Sequence, residues 1–160
     1  MKFDTAVKHV LAYEGGLVDN PKDPGGITKF GISYRSYPEY GVDGIKALTK
    51  QQAMDIYLED YWDAVNCSEL PDSLRLMVFD CAVNQGVYFA VTALQSAVSV
   101  KADGIFGNDT RRAVRETSEE VALRKLALNR YYRYARNPNW DVFGDGWMSR
   151  LLSVSLITGG

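Results

Sequence analysis

Two cysteines, one histidine and five prolines among 160 residues exclude a good deal at once. Cys67 and Cys81 have neither CxxC nor Cys/His spacing, so a zinc site is not expected. Cys81 sits in an apolar stripe and reads as a buried thiol. A Cys67–Cys81 disulfide is allowed by the sequence but not implied by it. His9 stands alone, five residues before Glu14 and off its face, and reads as a surface or satisfied side chain. No apolar run approaches the length of a transmembrane span. The opening MKFDTAVKHVLAYEGG lacks the apolar region of a signal peptide. The expectation is a chain made in the cytoplasm; if it acts elsewhere, something else must let it out. There is no phosphate-cradling GxxxxGK and no serine or cysteine in a nucleophile elbow. The segment DGIFGND (103–109) lacks the spaced ligands of a calcium loop and reads as a turn. No metal and no cofactor are expected. A net charge of −2 excludes a global nucleic-acid footprint.

The length suits one compact domain, or two small lobes sharing a core. The charge is uneven: residues 1–88 hold eight Lys/Arg against thirteen Asp/Glu, and residues 89–160 ten against seven. The halves therefore carry −5 and +3, and the second is the one suited to an anionic polymer. RRAVR (111–115) and RYYRYAR (130–136) are its basic clusters, and most of their residues read as a solvated helix face. Ten Tyr and three Trp suit core filling first and a sugar-stacking groove second.

The periodicity is helical almost throughout. Phe3, Val7, Val10, Leu11 and Glu14 share one face, with Asp4 as the expected N-cap and Gly15 as the break. ITKFGIS (27–33) alternates and predicts a small β-hairpin arm. Ser33 starts a short helix ending near Gly41. Thr49 and Gln52 form a capping box for a helix to about Trp62. LPDSLRLMVFDCAVNQG (70–86) carries an apolar stripe ended by Gly86, and a further helix spans about 87–99. Asn108 or Asp109 caps the next helix. A long one covers 119–136, stopped by NPNW, and the last runs from about Asp145 to Ser155.

The chemistry concentrates in EGGLVDNPKDPGGITKFGIS, from Glu14 onward. A carboxyl sharing a face with Val7, Val10 and Leu11 is costly to ionise, so its pKa is expected to rise, as a general acid requires. A helix break just after it opens the acid to a cleft. Asp19 and Asp23 follow on a loop stiffened by Pro21 and Pro24. Thr28 adds a hydroxyl able to orient water. One protonated carboxyl, one ionised carboxylate and a hydroxyl form the kit for glycosidic bond hydrolysis. By chemistry alone, Asp23 reads equally well as a turn residue bonding its own backbone.

These residues resemble the N-terminal signature of glycoside hydrolase family 108, the phage and bacterial N-acetylmuramidases. The resemblance rests on Glu14-Gly15-Gly16, Asp23-Pro24-Gly25-Gly26, Thr28 and Gly31-Ile32. It extends through YLEDYWDAV (57–65), LPDSLRLMVFDCAVNQG (70–86) and LQSAVSVKADGIFGNDT (94–110). The last of these, with GWMSRLL (146–152), resembles the peptidoglycan-binding segment that completes the family. The spacing of Glu14, Asp23 and Thr28 is also similar to the Glu/Asp/Thr set of phage-type lysozymes. Leu17 departs from the pattern, standing where an aromatic often follows.

The resemblance implies a mainly α, lysozyme-like α+β fold: a helical globule with an N-terminal β-hairpin arm. It implies a catalytic segment at 1–88 and a peptidoglycan-binding segment at 89–160, packed into one globule. The implied activity is hydrolysis of the β-1,4 bond between N-acetylmuramic acid and N-acetylglucosamine. Glu14 is then the general acid, Asp23 rather than Asp19 the second carboxylate, and Thr28 the residue positioning water. Phe30 on the arm is a candidate for stacking on sugar, and Asn84, Gln85 and Tyr88 for lining the groove. The expected partner is the glycan strand of peptidoglycan, the expected state a monomer, and the expected place of action the cell wall. A holin or a dedicated secretion route would carry an endolysin-like chain there. A lytic transglycosylase and a non-catalytic peptidoglycan-binding protein are the alternatives.

Overall fold

The computed structural model describes residues 1–17 and 27–158. Among them the fold is mainly α with one two-stranded antiparallel hairpin, of the lysozyme-like α+β class expected. The chain divides into two compact units, Lys2–Glu59 and Asp60–Gly160, the second including Met1.

The N-terminal unit opens with α1 (Phe3–Glu14), whose Ala6, Val7 and Val10 are buried. Its N-cap is Lys2, in extended conformation, not Asp4. The Lys2 carbonyl takes the first helical N–H groups, from Thr5 and Ala6 at 3.1 Å. Asp4 lies instead in the first turn, where a carboxylate favours the helix dipole. β1 (Thr28–Lys29) pairs with β2 (Ile32–Ser33), with Thr28 opposite Ser33 and Lys29 opposite Ile32. Ser33 is thus a strand residue and does not start a helix. The chain next tightens into a 3-10 turn at Pro38–Tyr40, with proline at its first position. α2 (Gly41–Ala47) begins at the glycine read as a stop. α3 (Lys50–Tyr57) starts at the expected Thr49/Gln52 capping box, both halves of which are made. Among the described residues, Ile27, Ile32, Ile45, Leu48, Ala53, Ile56 and Tyr57 are the other buried side chains of this unit. The helix expected to reach Trp62 changes to a π-helical turn at Leu58–Asp63.

The C-terminal unit is built on α4 (Asp72–Gln85), α5 (Val87–Ala97), α7 (Glu119–Ala135) and α8 (Trp140–Thr158), which pack on one another. α4 is buried continuously from Leu76 to Ala82. α6 (Asn108–Glu116) is capped by Gly107, not by Asn108 or Asp109. The Gly107 carbonyl accepts from Arg111 N–H at 3.0 Å, so both polar residues fall inside the first turn. There Asp109 pairs with Arg112 at 2.8 Å. α8 starts at Trp140, five residues before the expected Asp145, because the glycines there do not interrupt it. A Cβ at Gly144 would lie 2.9–3.0 Å from the Trp140 ring, so glycine is what lets that ring fold down on its own helix.

This core holds three charged side chains. Asp80 and Arg130 are fully buried and Arg150 nearly so. Asp80 accepts from Arg130 Nη2 at 2.6 Å and from Arg150 Nε at 2.7 Å. Arg130, read as part of a solvated basic face, is instead a core residue.

Cys67 and Cys81 are both free and buried. Burial pushes both thiols up, that of Cys81 to about 11. Thiolate is the reactive form, so neither should react with a disulfide reagent such as DTNB at pH 8 in the native protein. Both should titrate once the chain is unfolded in guanidinium.

Candidate active site

Glu14 ends α1, and Gly15 turns the chain away at φ +70°. That φ lies in the left-handed region glycine enters without strain. An added Cβ at Gly15 or Gly16 would meet no atom within 4 Å among the described residues. The Glu14 side chain is half-buried.

The hairpin is what covers it. Phe30 and Gly31 form the two-residue tip, with φ of +52° and +79°. Two successive positive values are the signature of a type I′ turn, where Asn-Gly is the usual pair. A phenylalanine in that conformation is strained by roughly 1–3 kcal/mol. Tyr57 holds it, donating its hydroxyl to the Phe30 carbonyl at 2.9 Å. Gly31 has no alternative: a Cβ there would overlap the Tyr57 hydroxyl and lie 2.9 Å from Glu14 Cβ and 3.0 Å from Glu14 Cγ. Glu14, Gly31 and Tyr57 are therefore one packed cluster, made from a helix end, a hairpin tip and the last residue of α3. Lys29 Nζ anchors the same hairpin to the Lys46 carbonyl at 2.6 Å.

A direct consequence concerns Gly31→Ala. It should cost about 1–3 kcal/mol for backbone conformation alone and should also displace Glu14 or Tyr57. Thermal melting and wall-clearing rate measured together should both fall. Tyr57→Phe, which deletes only the hydroxyl, should cost about 1 kcal/mol and affect rate less than Gly31→Ala.

Of the expected site residues, Glu14, Thr28 and Phe30 fall in this unit, with Thr28 half-buried on β1 two residues before the tip. Asp23 and Asp19 lie outside the described residues. Asn84, Gln85 and Tyr88 fall in the other unit. Asn84 Oδ1 accepts from the Tyr134 hydroxyl at 2.5 Å. Gln85 Oε1 accepts from Arg130 Nε at 2.9 Å. Tyr88 is 68% exposed, with its ring over Gly104. Tyr57 carries little signal in the sequence beyond its place at the head of YLEDYWDAV (57–65), a stretch that resembles the family.

A mainly helical chain with a short hairpin packed on the stem of a helix-terminal glutamate has the lysozyme-like fold. More narrowly, the chain belongs to the Glycosyl hydrolase 108 family, which matches residues 7–86, and residues 89–152 match the Predicted Peptidoglycan domain. It is a peptidoglycan-degrading glycoside hydrolase. Among solved structures it is similar to that of Brucella abortus SagA, at 36% identity and a TM-score of 0.89, over 98% of this chain and 92% of that one. No curated protein matches it. Among the described residues no helix is long and apolar enough to cross a membrane.

Proposed function

We propose that the chain is an N-acetylmuramidase, a lysozyme that hydrolyses the β-1,4 bond between N-acetylmuramic acid and N-acetylglucosamine, with Glu14 as its general acid. The supporting observation is the packing of the Glu14 stem against the hairpin tip at Gly31, beside the Tyr57 hydroxyl. A general acid must be held within hydrogen-bond reach of the leaving oxygen, and a helix end clamped by a hairpin holds its carboxyl in place. Glu14 protonates the glycosidic oxygen as the bond to the muramic acid carbon breaks. Asp23, ionised, stabilises the oxocarbenium-like centre or draws a proton from the attacking water. Thr28, on the strand leading to the tip, positions that water. Phe30 offers a ring to the sugar; its left-handed backbone, retained where Asn is usual, supports a role beyond the turn. Residues 1–88 carry the chemistry and 89–160 hold the wall, which is where an endolysin-like, bacteriolytic enzyme would act after export.

Product analysis tests the reaction. Purified walls are digested and the glycan fragments read by mass spectrometry. Reducing muramic acid ends are expected. Ends of 1,6-anhydro type would overturn hydrolysis in favour of a lytic transglycosylase, and binding without any cleavage would leave only a wall-binding protein.

A further inference from the structure

The C-terminal unit contains an open groove of about 660 Å³ between α5 and the end of α7. That volume is in the range of small-ligand sites. Two arginines one turn apart, Arg133 and Arg136, line it together with Phe89, Ser96, Asn129 and Tyr132, and no acidic side chain does. The Arg133 guanidinium lies 4.3 Å from the centre of the Phe89 ring, and that of Arg136 5.8 Å from the Tyr132 ring. Stacking engages the face of a guanidinium and leaves its in-plane N–H groups for a ligand. Among the described residues neither side chain makes an ion pair or a hydrogen bond beside these ring contacts. Their neighbour Arg130 is the contrast, with its donors spent on Asp80, Gln85 and Tyr134. Two full positive charges outweigh the half-unit negative pole of the α7 C-terminus. Two such forks suit a planar anion bonded by both.

The geometry points to a carboxylate-recognition site here, whose ligand is the acidic peptide stem carried by muramic acid. The inference rests on peptidoglycan being the chain's substrate, and it names which part of that polymer the groove reads. N-acetylglucosamine has no carboxylate to offer, and the lactyl carboxyl of a stem-bearing muramic acid is consumed in its amide bond to the stem, whereas every uncrosslinked stem ends in a free one. The aromatic stems of the clamp and Asn129 give the peptide backbone and its short side chains a surface to lie on. Asn129 is itself fixed by donating to the Ala93 carbonyl at 3.1 Å. Cleavage would then be biased towards strands whose stems are intact.

The experiment is a calorimetric titration of the full chain with three probes: the free stem tetrapeptide L-Ala-γ-D-Glu-meso-diaminopimelate-D-Ala, the same peptide with its carboxyls amidated, and chitotetraose. The free stem should bind and its amide should not. The double variant Arg133→Gln/Arg136→Gln should weaken stem binding about tenfold to a hundredfold, the usual worth of charged hydrogen bonds. Its chitotetraose binding and its melting temperature should stay as in the parent. Ser96→Asp, which adds an acid at the exposed groove wall, should weaken the stem in the same way and guards against a folding defect in the double variant. Equal binding of stem and amide would overturn the assignment, as would unchanged affinity in both variants. Inorganic phosphate competing as well as the stem would reduce the groove to a general anion site and sink the peptide reading. None of these readouts requires bond cleavage. A failure here is therefore distinct from a failure of the muramidase reading, which is judged on product ends.

Discussion

Glu14→Gln should remove wall clearing, lowering the rate about 10²–10⁴-fold, the span a positioned general acid supplies. Gln keeps the shape and length of the side chain, so its methylenes still cover Gly31. Melting temperature and the far-ultraviolet circular dichroism spectrum should match the parent. Binding to intact walls should also persist, because the peptidoglycan domain at 89–152 is untouched. Turbidity loss and a sedimentation assay on the same walls separate the two effects. A Gln variant that clears at the parental rate would end Glu14's role as acid. The same assay discriminates between the two loop acids. Asp23→Asn should be severely impaired and Asp19→Asn close to wild type, since Asp23 alone stands at the position shared with both the muramidase and the phage-lysozyme patterns. The reverse ranking would reassign the second carboxylate.

What was legible in the sequence was whatever local periodicity controls. The stripe Phe3, Val7, Val10, the Thr49/Gln52 capping box and the alternation in ITKFGIS each name an element that forms. Local pattern misleads where a residue's role depends on something distant or on a competing cap. The last helix, expected from about Asp145, starts at Trp140, whose ring lies on Gly144 one turn on. Asp4 looks like a cap until the Lys2 carbonyl is found taking the first helical N–H groups. At the candidate site, Glu14 and Thr28 stand out because chemistry and spacing coincide in one short stretch. Tyr57 does not, because its value lies in reaching Phe30 across 27 residues of sequence. No periodicity encodes a contact of that kind. The arginines of 130–136 show the same limit: one cluster in sequence divides into a core residue, Arg130, and two groove residues, Arg133 and Arg136.

Asp80→Ala should be the most destabilising of the single substitutions considered. Asp80 lies in the middle of α4, flanked by Phe79 and Cys81, and all three are fully buried. Its two oxygens take one arginine each, Arg130 from α7 and Arg150 from α8, so a single carboxylate ties three helices together. Removing it takes from two guanidiniums the buried carboxylate that each of them bonds. Losing one partner from a buried ion pair costs about 3–5 kcal/mol, because the remaining charge keeps its desolvation penalty. For a chain of this size that corresponds to a fall in Tm of roughly 6–20 °C. Asp80→Asn keeps the volume but not the charge and should fall nearly as far, which would mark the loss as electrostatic. If Ala were severe and Asn mild, the contribution would be packing and hydrogen bonding instead. Replacing all three residues with apolar side chains of matched volume should recover much of the lost stability, since a buried ionic cluster and a well-packed apolar one are often equivalent. That recovery would place the value of Asp80 in choosing which helices meet, a choice α4 alone cannot make because it is apolar on nearly every side from Leu76 to Ala82.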